Sequence, residues 1–566
     1  MIGAFVGARL RRVRLGFLAV ALATATTTAC ASDDRASDDP LGEVGTEEVQ
    51  PGGTVTFGAD QEPAGFNPNV AGGNSLAVNN VIGRVFPSVF RVDPSFEPVL
   101  DDELMDSVEL TDSEPQTVVY KINPRAVWSD GVPISADDFV YWWQMARGDG
   151  VDVDGSVAEV ASTAGYEDIA SVTGSEDGKT VTVVFEKPYG DWKSLFSLAV
   201  LPSHIARRVG WNTGFATFDP AVVISGGPFR IESHNPGQDL TLVRNERYWG
   251  EPAKLDRIVF RFIPQSAEQI PALRNREVDV IYPQPQLDAV TQLESISGVR
   301  TEVGQGLAYE HLTLNTRQEF LALPEVRQAL ALALDRAQVV ERTVGQVDDR
   351  ARPLGSRIYV NSQPEYDDNS GRYGERDLPA ARALLEGLGF TPGPDGIYQR
   401  GGKRLSLRLS TTAGNALREQ QGVLIQSQVR EAGIELRIDN SPAAILQRER
   451  LPQGNFDIAN FGWSSSPFPS GFADIFGTDR AANYGKYANA EVDALFREAG
   501  AALDDGARTA LYNEIDRRLW DDMATIPLYQ KPTLLAYRST LVNIADNATV
   551  HGIFWNAETW GVRSSP

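Results

Sequence analysis

From about residue 53 onward, short alternating apolar runs and longer runs at helical spacing follow one another to the C-terminus, the pattern of a mixed α/β protein. Gly53-Thr54-Val55-Thr56-Phe57-Gly58 alternates and predicts a half-buried strand where folding begins. The β-branched runs 117–122 (TVVYKI) and 180–185 (TVTVVF) predict two more strands. Between them, Ser135 and Asp138 make an S-x-x-D capping box ahead of Phe139, Trp142, Trp143 and Ala146, so 127–146 reads as strand, Asp-Gly turn and capped helix. Capping accounts for the polar positions of that segment as scaffold. Runs 226–231 and 240–245, separated by Asn235-Pro236-Gly237, predict a hairpin. The stretch 324–344 predicts one long helix with Pro324 in its first turn. Next come a helix capped by Asp377, a strand at 405–410, a helix from Ala416 to Gly433 and a strand at 434–438. That alternation predicts a mainly parallel sheet. Helices from Glu491 and about Ala507 lead to Ile526-Pro527-Leu528-Tyr529 and a strand-rich tail ending at Phe554 to Trp560.

The N-terminus breaks the pattern. Arg9, Arg11, Arg12 and Arg14 precede an apolar run at 15–29 that ends in Thr27-Thr28-Ala29 before Cys30, the single cysteine of the chain. This is the layout of a secretory signal, 1–29. Fifteen residues span about 22 Å as a helix, short of the ~30 Å bilayer core, so the run is not expected to remain as a membrane span. The site resembles a bacterial lipobox, with Thr27 where a larger aliphatic residue is usual; the resemblance implies diacylglyceryl modification of Cys30. A secreted chain that used cysteines for disulfides would carry an even set. Residues 30–49, acidic and without periodicity, read as a flexible tether.

Composition narrows the function. A chain of 566 residues is long enough for two to four domains at ~100–200 residues each. Its formal net charge of -24 argues against nucleic acid and against electrostatic adhesion to anionic lipid. No G-x-S-x-G, H-E-x-x-H or Walker A motif is present. His204, His234, His311 and His551 are far apart, with no partner at metal-ligand spacing. Asp137-Asp138 and Asp521-Asp522 read as helix-end or surface charges. The expectation is a protein that is not an enzyme, has no catalytic residues, and needs no metal or organic cofactor.

The order of motifs resembles the family 5 extracytoplasmic solute-binding proteins, the dipeptide- and oligopeptide-binding components of ABC importers. The residues that carry the resemblance are WSDGVPISADDF (128–139), GGPFRIE and RNERYWGEP (226–232, 244–252), Leu314-Asn315 with VRQALALALDR (326–336), NFDIANFGW (455–463), YANAEVDAL (487–495) and IPLY (526–529). It implies a two-lobed α/β fold of the periplasmic-binding-protein type (class II, peptide-binder cluster) with an extra subdomain in lobe one. Carried onto this chain, lobe one is 50–309 with a subdomain at about 88–225, lobe two is 310–529, and 530–566 returns to lobe one. The crossings fall near 312–315 and 527–531. The family also implies a permease and ATPase as partners, a monomer, and residence on the outer face of the cytoplasmic membrane.

In such binders a carboxylate shortly after Gly-Trp fixes the amino terminus of the peptide. Here Gly462-Trp463 continues as Ser464-Ser465-Ser466-Pro467-Phe468, so the resemblance places Ser466 at the aspartate position, with Asp474 as the next carboxylate. Serine hydroxyls beside Trp463 and Phe468 suit a sugar, a glycolipid headgroup or a blocked peptide as well as a free one, or form a solvated loop. The opposite wall is implied to come from Phe66 and Asn67 in Gly65-Phe66-Asn67-Pro68. That form, with 85–91 after it, is similar to the LpqW-type cell-envelope lipoproteins, which share the fold and have been associated with lipoglycan assembly rather than transport. If Cys30 is the anchor, Cys30→Ala is expected to release a folded protein into the culture medium, read by fractionation; retention on the membrane would remove the lipoprotein reading.

Overall fold

A computed structural model describes residues 49–563 except Ala71 and Ala481. The expected leader, Cys30 and all but the end of the expected tether lie outside the described residues. Val49 and Gln50 pair with Arg563 and Val562, so the described chain opens by joining its own C-terminal segment.

Ten strands form one mixed sheet. In chain order they are β1 (Thr54–Ala59), β2 (Phe229–Asn235), β3 (Asp239–Arg244), β4 (Arg257–Phe262), β5 (Val280–Ile281), β6 (Val299–Leu314), β7 (Ser406–Ser410), β8 (Glu435–Ile438), β9 (Ile458–Ser464) and β10 (Thr525–Arg538). Across the sheet the order is β8-β7-β9-β6-β10-β5-β1-β4-β3-β2. At its middle β6 and β10 run antiparallel from Val299 opposite Arg538 to Thr313 opposite Thr525, with register shifts at Gln305/Tyr309 and Glu310/His311. A core built from 55–260 and 535–560 packs at one end of the sheet. A second, from 312–436 and 520–529, packs at the other. This is a two-lobed α/β fold. A separate four-stranded antiparallel sheet at 105–185 includes both predicted β-branched strands, Gln116–Ile122 and Thr180–Phe185.

Most predicted elements are present. Helix α2 (Ala136–Ala146) carries the Ser135/Asp138 capping box, whereas α1 (Leu76–Ile82), capped by Ser75, was not among the expected elements. The Asp138 carboxylate also accepts the Trp128 indole N–H and the Ser203 amide, so this motif is scaffold. Three expectations fail. The long helix at 324–344 is two, α3 (Pro324–Ala333) and α4 (Arg336–Arg342), because Leu334 is extended and the Asp335 side chain caps the second by accepting from Gln338 N–H. The later sheet is mixed rather than mainly parallel: β7 is parallel to β8 and β9, but β9 meets β6 antiparallel. The tail at 553–559 is a 3-10 turn instead of a strand, which sets Phe554 against Phe57 and Phe260 at ring distances of 5.1 and 4.8 Å.

His551 ties that tail to the scaffold. Its Nδ1 accepts from the Val92 amide at 3.2 Å while its Nε2–H donates to the Ser197 carbonyl at 3.0 Å. Burial, with Arg91 and Arg84 nearby, pushes its pKa down from 6.5 to about 4. A proton on Nδ1 would also abolish the acceptor that Val92 uses. Because the folded pKa lies below the unfolded one, this group stabilises the fold above about pH 6.5 and loses that contribution as pH falls toward 4. His551→Asn is therefore expected to be less stable than wild type at pH 7 but to lose less stability between pH 7 and pH 4.5. Urea unfolding at both values checks this.

Candidate functional site

β1 lies between two parallel neighbours, β4 on one side and β5 on the other. Crossovers that leave a strand in opposite directions open a crevice beyond its carboxyl end, where ligands of open α/β sheets bind. A cavity of about 220 Å³ lies there. Phe57, Phe260 and Phe262 line it from the sheet, Leu76 and Asn80 from α1, Asp60 and Gln61 from the turn after β1, and Tyr282 and Gln284 from the segment after β5. Gly552 and Asn547 of the C-terminal return complete it.

The chemistry of this crevice is aromatic and amide-rich. Its lining holds one carboxylate, Asp60, and no lysine, arginine or histidine. Asn80 is 8% exposed and its Oδ1 has no hydrogen-bond partner in the protein, so a buried acceptor stands ready for a donor. Gly552, at φ +58°, passes so close to Asn80 that a Cβ would fall 2.1 Å from that oxygen. The Tyr282 hydroxyl is committed, donating to Asp546 Oδ1 at 2.7 Å, and Asp546 is also bonded to Thr533 of β10. Burial raises the Asp546 carboxyl pKa.

The residues implied by resemblance do not share this cavity. Phe66 is 1% exposed and meets Phe218 and His234 edge-on at 6.0 and 5.7 Å. Asn67 donates to the Trp211 carbonyl at 2.9 Å and accepts from the Asn69 amide at 3.0 Å. Both belong to the lobe core, and the cavity is instead reached by the residues just before them, Asp60, Gln61 and Pro63.

Near the end of β9, Trp463 is half-buried against Tyr309 and Phe461, stacked on Tyr484 at 5.8 Å and near-parallel to His311 at 6.2 Å. Burial, with Arg418 and Arg357 nearby, takes the His311 pKa down to about 3, so the ring is neutral. Ser464 is exposed and Phe468 half-buried. Ser465 is buried, its hydroxyl on the Ile358 carbonyl, and the Ser466 Oγ accepts from Phe468 N–H at 3.0 Å. Two of the three hydroxyls therefore shape the loop and only Ser464 is open. The Asp474 side chain is 69% exposed and faces Arg480 at 3.9 Å, away from any role beside Ser466.

At the crossing, Glu310 of β6 is bracketed by Arg418 at 2.8 Å and Lys531 at 3.5 Å. Among the described residues, no group of three or more His, Cys, Asp or Glu is arranged to hold a metal ion. Sequence reasoning missed Asp60, Asn80, Tyr282 and Gln284. Their signals were the Asn79-Asn80 pair inside an apolar helix and polar residues at the ends of parallel strands.

Residues 102–484 match the profile of the bacterial extracellular solute-binding proteins, family 5 Middle. The chain is 30% identical over 501 residues to the oligopeptide-binding protein OppA of Mycobacterium tuberculosis, covering 88% of this chain and 83% of that one. It is also 30% identical over 445 residues, 72% of this chain and 67% of the other, to the probable monoacyl phosphatidylinositol tetramannoside-binding protein LpqW of the same species. Among solved structures, the periplasmic EDTA-binding protein EppA superposes with a TM-score of 0.85 at 31% identity, over 93% of this chain and 100% of that one.

The two asparagines separate site from scaffold. Asn67→Ala leaves a carbonyl and an amide unpaired and is expected to cost about 1–3 kcal/mol. Asn80→Ala removes a buried acceptor that has no partner and is expected to be neutral or stabilising. Urea denaturation of the pair checks the assignment; equal losses would show that Asn80 is scaffold too.

Proposed function

The chain belongs to the bacterial extracellular solute-binding proteins of family 5, and on that premise we propose that it binds a peptide or peptide-like solute in the crevice beyond β1 for an ABC importer. The observation that carries this reading is the lining of the crevice. Three phenylalanines, the amides of Asn80, Gln61 and Gln284, and the single carboxylate of Asp60 suit a chain of peptide groups with a cationic or neutral end. Without a lysine or arginine in the lining, a polyanion would enter with no counter-charge. The likeness to an EDTA-binding protein therefore does not carry its ligand over, and a phosphate-bearing headgroup is disfavoured in the same cavity. Asp60 takes the part that Ser466 cannot, pairing a free peptide amine.

In this reading lobe one is 50–309 with 530–566, lobe two is 310–529, and the solute is covered from lobe two by Trp463, Ser464 and Phe468. The two lobes close by rotation about the paired strands β6 and β10. The protein acts as a monomer held at the outer face of the cytoplasmic membrane through acylated Cys30, where it delivers solute to a permease driven by an ATPase. It performs no chemistry on the solute.

A thermal-shift series is the test. Di- to pentapeptides with free amino termini at 100 times their dissociation constant are expected to add about 2.7 kcal/mol of stability. N-acetylated versions are expected to bind more weakly, and Asp60→Asn to erase that difference. A shift produced by a phosphatidylinositol mannoside headgroup and by no peptide would replace the transport reading with an LpqW-like envelope role.

A further inference from the structure

Away from the crevice, the first core faces a third apolar cluster, built around Phe472, Phe496 and Tyr512 and joined to the second core through the helix Asp505–Asp521, across a polar seam. The loop Tyr189-Gly190-Asp191 follows the last strand of the four-stranded sheet and is gripped on its own side by Gln116, whose amide accepts from Tyr189 N–H at 2.7 Å and donates to the Tyr189 carbonyl at 3.1 Å. From this fixed base the loop reaches across. Gly190 N–H donates to the Gly500 carbonyl at 2.7 Å. The Asp191 carboxylate accepts from Ser470 N–H at 2.9 Å and faces Arg508 Nε at 3.3 Å, with the carboxylate side chain 1% exposed. The Tyr189 and Ser470 hydroxyls lie 3.1 Å apart. A Cβ on Gly190 would stand 2.4 Å from the Ala502 carbonyl, so the close approach depends on glycine.

The partners on the far side include the end of the segment that carries Trp463, Ser464 and Phe468, whose turn Pro469–Gly471 packs on the helix Ala490–Ala501. Ser470 lies two residues beyond Phe468, Gly500 lies in the last turn of the helix Ala490–Ala501, and Arg508 lies in the helix Asp505–Asp521. The contacts themselves are carboxylate, guanidinium, hydroxyl and backbone. Apolar cores resist parting because they expose oil to water, whereas groups of this kind are re-solvated when separated, as in interfaces that form and break. A rotation about β6 and β10 that separates the cores must break them.

We propose that Asp191 is a positioning residue for solute capture: through Ser470 it fixes the loop 464–470, and with Arg508 it forms the contact that holds the two cores closed. This rests on the crevice reading for its functional meaning, but the seam can be tested without a solute.

Hydrogen–deuterium exchange on the full chain reads both sides at once. Asp191→Ala is expected to speed exchange about tenfold in peptides covering 187–195 and 466–474, on opposite sides of the seam. Asp191→Asn, which keeps an acceptor for Ser470, is expected to give a smaller rise in both, and Arg508→Gln to match it. Exchange within the strand Thr180–Phe185 is expected to stay unchanged, which separates opening from misfolding. A rise confined to 187–195, or none, would overturn the proposal. With tetra-alanine as probe, dissociation is expected to quicken in Asp191→Ala while wild type binds. Failure of wild type to bind it would count against the crevice reading, and with it the solute-capture role of Asp191, while the exchange result still decides whether the seam is a closing contact.

Discussion

The pairing of β6 with β10 is the constraint on which the rest of this molecule depends. It holds from Val299 opposite Arg538 to Thr313 opposite Thr525, so one antiparallel ladder passes from the first core into the second. Backbone hydrogen bonds along a ladder resist stretching and shear, yet two strands twist and bend about their common axis with little loss. The register shifts at Gln305/Tyr309 and at Glu310/His311 interrupt the ladder near its centre, where bending meets least resistance. Around that point the charges are settled locally: Glu310 sits between Arg418 and Lys531, and His311 is neutral beneath Trp463. The crossing is therefore a joint whose one buried carboxylate, Glu310, is paired by cations beside it.

What could be read from the sequence follows from the range of the interactions involved. The capping box of Ser135 and Asp138, the hairpin at 229–244 and the Asp377 cap are local, and each was legible because its partners lie within a few residues. The break at Leu334 was not, since a run of Val326, Leu330, Ala333 and Leu334 keeps helical spacing through the point where Asp335 caps the next helix. The same limit applied to the site. Trp463 was proposed from the resemblance alone, and the choice among 60–67 depends on which residues leave the end of β1 toward the cavity and which turn inward against Trp211 and Phe218. That distinction rests on a contact 144 residues away in sequence (Asn67 to Trp211), and no local pattern encodes it. Helix α1 itself went unpredicted, and only burial separates the unpartnered acceptor of Asn80 from ordinary surface polarity.

The distribution of cations gives the crevice its character. In a chain with 52 lysines and arginines against 76 acids, positive charge is scarce, and five guanidinium groups are engaged in buried or half-buried pairs. Arg84 and Arg91 serve Asp101 and Glu558, Arg357 serves Asp516, Arg418 serves Glu310 and Arg508 serves Asp191. Leaving one such carboxylate without its partner would cost several kcal/mol, on the order of 3–5. These five guanidinium groups are thus committed to holding the architecture, and the cavity is lined by amides, aromatic faces and Asp60.

The two kinds of contact between segments then sort themselves by what motion asks of them. Within each core the contacts are apolar, with Trp128 and Trp211 in one and Trp520 in the other fully buried. Separating such surfaces costs about 25 cal/mol for each Å² exposed, so these bodies stay whole. Where the bodies face each other across the seam, the groups are Asp191, Arg508, Ser470 and Tyr189, each able to regain hydrogen bonds from water. Closure there is reversible for the same reason that it is specific: a carboxylate that accepts one amide and faces one guanidinium has a single arrangement with the seam shut and many in solvent. A joint that bends, bodies that do not deform and a seam that re-solvates are together what a solute binder of this size requires.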